Sequence, residues 1–323
     1  MSGKGLFSQN VIAVIWDFDK TLSPHYMQRP LFEAYSVDEE AFFAEVNRLP
    51  AYYARAGVRV QRDTCYLGHL IAYVRAGKLA GLTNARLREL GGQIQFYPGI
   101  PELFDGLARI LDVQEFSLGD IHLEHYVVSS GLAEMIRGSA VASRLDGIWA
   151  SEFVEVPAAP GTDLDAQPET GQISQIATFL DNTTKTRALF EINKGIGKLD
   201  SISVNDAIPE EERRVPFRNM IYIADGPSDI PSFSVVKKHG GLAYAVYDPS
   251  SQDHFAQAVA LLEAGRVHEI GPADYRKGTQ TEMWLRHQIT RIARRMMAQR
   301  TETTESKVAK GPDHFHETER IPG

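Results

Sequence analysis

The sequence predicts an α/β protein, with a parallel sheet covered by helices on both faces and an all-helical segment inserted after the first strand. Three observations carry this. Short apolar runs of strand length alternate with segments of helical period from residue 97 onward, the rhythm of a parallel sheet. The apolar run Val11–Trp16 ends abruptly in Asp17. Between about Pro24 and Gly92 only helical spacing is present.

The elements follow in order. Val11–Trp16 reads as a buried central strand. Segments 38–48, 62–76 and 83–91 carry apolar residues three and four apart, with Gly57, Gly77 and Gly91 with Gly92 as stops. The βα rhythm resumes at Tyr97-Pro98-Gly99. A helix is expected over 101–111, a strand over 125–129, a helix over 132–142 and a strand over 147–150. The stretch 151–180, rich in Pro, Gly and Thr, predicts a hairpin or loop excursion. Residues 184–194 read as a helix. The polar connection 195–218 contains a run of charges at 210–214, the pattern of a solvated loop. Strands at 220–224 and 242–246 and helices at 229–238, 252–264 and about 279–299 complete the chain. The polar stretch 300–323 is expected to be disordered.

Composition narrows the function. The 323 residues are 43% hydrophobic and 24% charged, the balance of a globular protein long enough for one large domain or two ordinary ones. A formal net charge of −8 leaves no excess of Lys and Arg for nucleic-acid backbones. Cys65 is the single cysteine, so neither an intrachain disulfide nor a cysteine metal cluster is expected. The first ten residues lack the apolar core of a signal peptide, and the run at 11–16 is too short to span a bilayer. The expectation is a cytoplasmic enzyme with no membrane or nucleic-acid partner; the oligomeric state is not legible.

Candidate chemistry clusters where strands end, because ligands of open α/β sheets bind beyond the carboxyl ends of the strands. Asp17 and Asp19 follow the first strand at a spacing that can put both side chains on one side of an extended chain. One carboxylate can then attack an electrophile while the other exchanges a proton. Asp225 and Asp229 follow the apolar run at 220–224 and supply hard oxygen ligands. Ser129 ends the run His125-Tyr126-Val127-Val128, and its hydroxyl with the Ser130 N–H can hold an anion at a helix start. By residue type alone these are equally a solvated turn, a capped helix and a helix N-cap. Lys185, a lone lysine on a helix, is in isolation a surface side chain, and Lys198 competes with it.

The ordered set Asp17-Phe18-Asp19-Lys20-Thr21, Val127-Val128-Ser129-Ser130-Gly131, Lys185 and Asp225-Gly226-Pro227-Ser228-Asp229 resembles the four motifs of the haloacid dehalogenase superfamily. Tyr97-Pro98-Gly99 is similar to the return point of its phosphoserine phosphatase group. The resemblance covers roughly residues 11–260. It implies a Rossmann-like core of residues 1–23 and 97–265 and a helical cap of the first type at 24–96; residues 266–299, beyond its reach, read as a C-terminal helical extension.

The resemblance also implies roles. Asp17 would be the nucleophile that becomes an aspartyl phosphate, and Asp19 the general acid/base, with its carbonyl on the metal. Thr21, Ser129, Ser130 and Lys185 would bind the substrate phosphate. Asp17, Asp19, Asp225 and Asp229 would serve a Mg2+ ion, Asp229 by holding a metal-bound water or orienting Lys185. The implied activity is a magnesium-dependent phosphatase acting on a small phosphorylated metabolite. Asp19 argues against dehalogenation, whose leaving halide needs no proton. A phosphotransferase or phosphomutase of the same superfamily, or a phosphate-binding module without turnover, are the alternatives. One departure is visible: phosphoserine phosphatases carry a glutamate soon after the first motif that recognises the substrate amine, and residues 23–28 contain no acid. His25, Tyr26, Arg55, Arg59 and Arg62 are further candidates for substrate contact.

Overall fold

A computed structural model describes residues 9–199 and 202–308. Its centre is a seven-stranded sheet built on β1 (Val11–Trp16), flanked by β2 (His122–Leu132) and β5 (Met220–Ala224). The strand order is β4-β3-β2-β1-β5-β6-β7, with β3 at Gly147–Val154, β4 at Gln175–Thr178, β6 at Leu242–Tyr247 and β7 at Glu269–Pro272. All pairings are parallel except β3 with β4. The antiparallel β3–β4 pair is the hairpin expected from the Pro- and Gly-rich stretch.

All six side chains of β1 are buried, so this strand has no solvent face and can sit only in the middle. Alternate residues feed two cores. Ile12, Val14 and Trp16 pack with α5 (Glu102–Ala108), α6 (Ala133–Gly138) and α10 (Gln280–Val308). Val11, Ala13 and Ile15 pack with α7 (Thr184–Lys194), α8 (Ile230–Lys238) and α9 (Gln252–Glu263).

The segment after β1 holds four helices: α1 (Arg29–Ala34), α2 (Glu39–Ala54), α3 (Cys65–Arg75) and α4 (Asn84–Gly91). Side chains define two of their starts, Asp38 accepting from the Ala41 N–H at 3.0 Å and Thr83 from the Arg86 N–H at 3.0 Å. Their apolar faces, among them Phe32, Phe42, Leu67, Leu70 and Leu87, join the same core as Trp16. Two glycines bring α4 against α6 backbone to backbone. A Cβ on Gly91 would lie 2.1 Å from the Met135 carbonyl oxygen, and one on Gly138 1.7 Å from that of Arg88.

The structure departs from the expected elements in three places. Helix α1 and strand β7 carry no sufficient sequence signal: α1 has six residues and β7 four, below the length at which a period can be read. The last helix runs past residue 299 to Val308, so 300–308 are helical, carried on from a long, well-anchored helix despite their polarity. The rest of the tail expected to be disordered, and residues 1–8, lie outside the described residues. No helix among the described residues is long and apolar enough to cross a membrane.

Candidate active site

The parallel register sets the site. Trp16 lies level with Val127 on one neighbour and with Ile223 on the other. The residues that follow, Asp17, Ser129 and Asp225, therefore emerge from three adjacent strands at one edge. The Asp17 N–H extends the ladder to the Ile223 carbonyl at 2.9 Å. Beyond it the chain turns sharply. The Phe18 carbonyl accepts from the N–H groups of Thr21, Leu22 and Ser23, and Lys20 takes a left-handed conformation at φ 58°. That conformation is uncommon outside glycine and is held here by the carbonyl's three donors.

Lys185 comes to this edge from the far side of the sheet. Helix α7 begins on a tight turn in which Asp181 Oδ1 accepts from the Thr183 and Thr184 N–H groups at 2.8 and 2.7 Å. Ala188, Leu189 and Ile192 bury its apolar face, and Trp149 Nε1 donates to Glu191 Oε2 at 2.6 Å. So fixed, Lys185 Nζ lies 2.8 Å from Asp17 Oδ1 and 2.8 Å from Asp229 Oδ1, and the residue is only 1% exposed. Lys198, the competitor, lies instead at the surface, 3.4 Å from Asp146.

Asp229 is fully buried and both its oxygens are engaged. Oδ1 also accepts the Tyr222 hydroxyl at 2.5 Å, and Oδ2 the Ser228 hydroxyl at 2.6 Å. This carboxylate is the anchor of the lysine. Asp19 lies part-buried across the turn, its Oδ1 accepting the Met27 N–H at 2.8 Å. Thr21 is buried, its hydroxyl oxygen unpartnered, while its carbonyl receives the Tyr275 hydroxyl at 2.5 Å. Ser129 is buried and its Oγ accepts the Gly131 N–H at 3.1 Å, which leaves its own proton free to donate. The Ser130 carbonyl accepts Tyr66 and Ser151 hydroxyls.

Crowding controls the charges. Burial pushes the Asp17 carboxyl up to about 6 even though Lys185 pulls it down, and Asp229 adds to the rise. Burial, with Asp17 and Asp229 nearby, takes Asp225 up to about 7. Burial and the neighbouring Asp17 raise Asp19 well above the carboxylate range. Lys185 loses by burial but gains more from Asp17 and Asp229, so it stays firmly charged.

One oxygen each of Asp17, Asp225 and Asp229 lies within 4.8 Å of the others, an all-oxygen set that a hard divalent cation fits. A single lysine against these carboxylates leaves negative charge for such an ion to neutralise. With Asp229 engaged on both oxygens, Asp17 and Asp225 have the more available carboxylate oxygens.

The remaining candidates stay outside. His25, Arg55, Arg59 and Arg62 are exposed, as is Tyr26 at 42%; Arg55 stacks on Tyr52. Two participants were not read from sequence. Tyr222 had a usable signal, since a buried tyrosine inside an aliphatic strand must find a partner for its hydroxyl. Tyr66 had none, its position being one more apolar site on a helix.

No model of a protein family matches the sequence. An uncharacterized protein of Borreliella burgdorferi is 36% identical over 287 residues, spanning 87% of this chain and 97% of that protein. Among solved structures, a HAD family hydrolase from Salmonella enterica serovar Typhi is similar at 12% identity, over 87% of this chain and 72% of that one, with a TM-score of 0.49. A phosphoserine phosphatase in apo form is similar at 15% identity, over 80% and 92% of the two chains, with a TM-score of 0.44.

Proposed function

We propose that this chain, which belongs to one family with the Borreliella burgdorferi protein and folds as a haloacid dehalogenase-like α/β core, is a phosphatase of small phosphomonoesters. The observation that carries the reading is Lys185 Nζ, buried and bridging Asp17 and Asp229 at 2.8 Å each, 168 and 44 residues away in sequence. A lysine is rarely buried so completely unless its charge is used. Here it would neutralise charge on a phosphoryl group about to receive an oxygen of Asp17.

The steps follow from the residues. Asp17 attacks phosphorus while the bond to the leaving oxygen breaks. Asp19, whose raised pKa supports a protonated carboxyl, gives its proton to that oxygen. Its Oδ1 is occupied by the Met27 N–H, so the proton belongs on Oδ2. Water then attacks the phosphorus of the aspartyl phosphate, Asp19 takes up a proton from it, and the bond to Asp17 breaks to release phosphate. Thr21, Ser129 and the Ser130 N–H would hold the phosphoryl oxygens, and Thr21 and Ser129 each have a free hydroxyl to do so. Mg2+, held by Asp17, Asp225 and the Asp19 carbonyl, with Asp229 behind them, would offset the charge of the phosphate. The helices of 24–96 would act as a cap that excludes water.

The test is release of phosphate from a panel of small phosphorylated metabolites with Mg2+, with Asp17→Asn as control. The substitution should reduce turnover about a thousandfold or more. Full activity of the variant, or no hydrolysis by the wild type across the panel, would overturn the reading.

A further inference from the structure

The end of β2 that carries Ser129 is held by the helical segment. Tyr66, on α3, donates its hydroxyl to the Ser130 carbonyl at 2.6 Å, and Ser151 Oγ lies 3.2 Å from the same oxygen. That carbonyl belongs to the peptide joining Ser130 to Gly131. The N–H at the other end of the peptide donates to Ser129 Oγ at 3.1 Å. A peptide is planar, so fixing its carbonyl fixes its N–H. Fixing the N–H directed at Ser129 Oγ in turn sets which way the serine hydroxyl can donate. Met27 closes the same strand end from a second side, accepting the Leu132 N–H on its sulfur at 3.0 Å. Contact there is tight enough that a Cβ on Gly131 would meet Met27 Cε at 2.2 Å.

We infer that Tyr66 is a positioning residue, which couples the seating of the helical segment to the orientation of the phosphate-binding hydroxyl of Ser129. The inference rests on the proposed phosphatase site. When α3 is seated, the Tyr66 hydroxyl locks the 130–131 peptide and Ser129 faces the phosphoryl group. When α3 lifts away, the peptide loses its best donor and Ser129 loses its orientation. Tyr66 keeps its proton and so remains a donor, because burial and the nearby Asp19 carboxylate hold its phenol far above the ordinary value. It touches no reacting atom and acts through one peptide.

Four proteins test this: wild type, Tyr66→Phe, Ser129→Ala and the double variant, each assayed with Mg2+ on p-nitrophenyl phosphate. Tyr66→Phe should raise KM and the inhibition constant of orthophosphate together, each by about tenfold, the worth of one well-placed hydrogen bond. In the Ser129→Ala background the same change should add less than about twofold, since its target is already gone. Effects that multiply, or a Tyr66→Phe enzyme indistinguishable from wild type, would overturn the coupling. Ser151→Ala, which removes the weaker donor from the same carbonyl, should shift the same constants in the same direction by less. It carries the test should Tyr66→Phe fold poorly. If the wild type releases no phosphate, the phosphatase reading fails by itself. Calorimetric titration of the four proteins with orthophosphate and Mg2+ then decides the coupling, with weaker binding in Tyr66→Phe but not further in the double variant expected, and equal affinity in all four overturning it.

Discussion

Asp17 and Asp225 are carboxyls that fold at a cost in charge. Both have folded-state values, about 6 and about 7, above those of an unfolded chain, so folding takes up protons. The sign follows. Their contribution to stability is fully present below about pH 4 and is lost as pH rises through 6 to 7. His125 runs the other way: burial depresses its imidazole to about 3, so its contribution is lost as pH falls below about 6.5. Comparing each pH with and without ion cancels the histidine. Mg2+ should therefore raise the melting temperature by about 3 °C or more at pH 8 and much less at pH 5. Scanning calorimetry at the two pH values checks this, and an equal gain at both would separate the ion from these carboxylates. Asp17, Asp19 and Asp225 were legible as candidates because each stands next to an apolar strand. The helical pattern after Lys185, which resembles a motif of the superfamily, favours it over Lys198, but motif order does not separate the two, and packing is what places Lys185 at the site and Lys198 at the surface.

Elements meet most closely where α4 crosses α6. Gly91 and Gly138 remove the side chains that would hold the two backbones apart, and no flexible atom stands in the way to yield: the neighbours are the carbonyls of Met135 and Arg88. Gly138→Ala should accordingly cost about 1–3 kcal/mol, the range for overpacking, through separation of the helices. Urea unfolding measures it, and a loss under about 0.5 kcal/mol would show that the contact can relax. In the sequence Gly91 reads as a helix stop, and it does end α4. Its second role, admitting a neighbouring helix, has no local signature. The strands were legible for the opposite reason: Val11–Trp16 and Met220–Ala224 are continuous apolar runs because they are buried on both faces. Short peripheral elements such as α1 and β7 carry too few residues to show a period.

At the scale of the molecule the site is largely covered, with only Asp19 and Asp225 of its carboxylates partly exposed. Asp17, Thr21, Ser129, Lys185 and Asp229 are each 5% exposed or less, so on the proposed function full access to them requires movement. Tyr66 of α3 and Met27, just ahead of α1, cover the end of β2 that carries Ser129, while α4 is pinned to α6. Movement is therefore expected in α1–α3 rather than in the whole segment. Beryllium fluoride with Mg2+, a phosphoryl mimic, should slow amide hydrogen exchange in α3 and around residues 24–30 and leave α4 unchanged. Uniform protection across 24–96, or none, would count against that division.

By itself the sequence determined the parallel sheet, the all-helical segment and two acidic clusters at strand ends, because burial and chain turning write themselves into neighbouring residues. It could name Asp17 and Asp19 as a pair, two residues apart. Tertiary structure alone decided what closes around them: Lys185 set between Asp17 and Asp229, Tyr222 behind Asp229, and Tyr66 on the Ser130 carbonyl. Apart from Tyr222 and Asp229, seven positions apart, these contacts join residues 44 to 168 positions apart, and no local period or propensity encodes a partner at that distance. Only the register of three parallel strands and the packing of helices on their two faces bring those side chains to one edge.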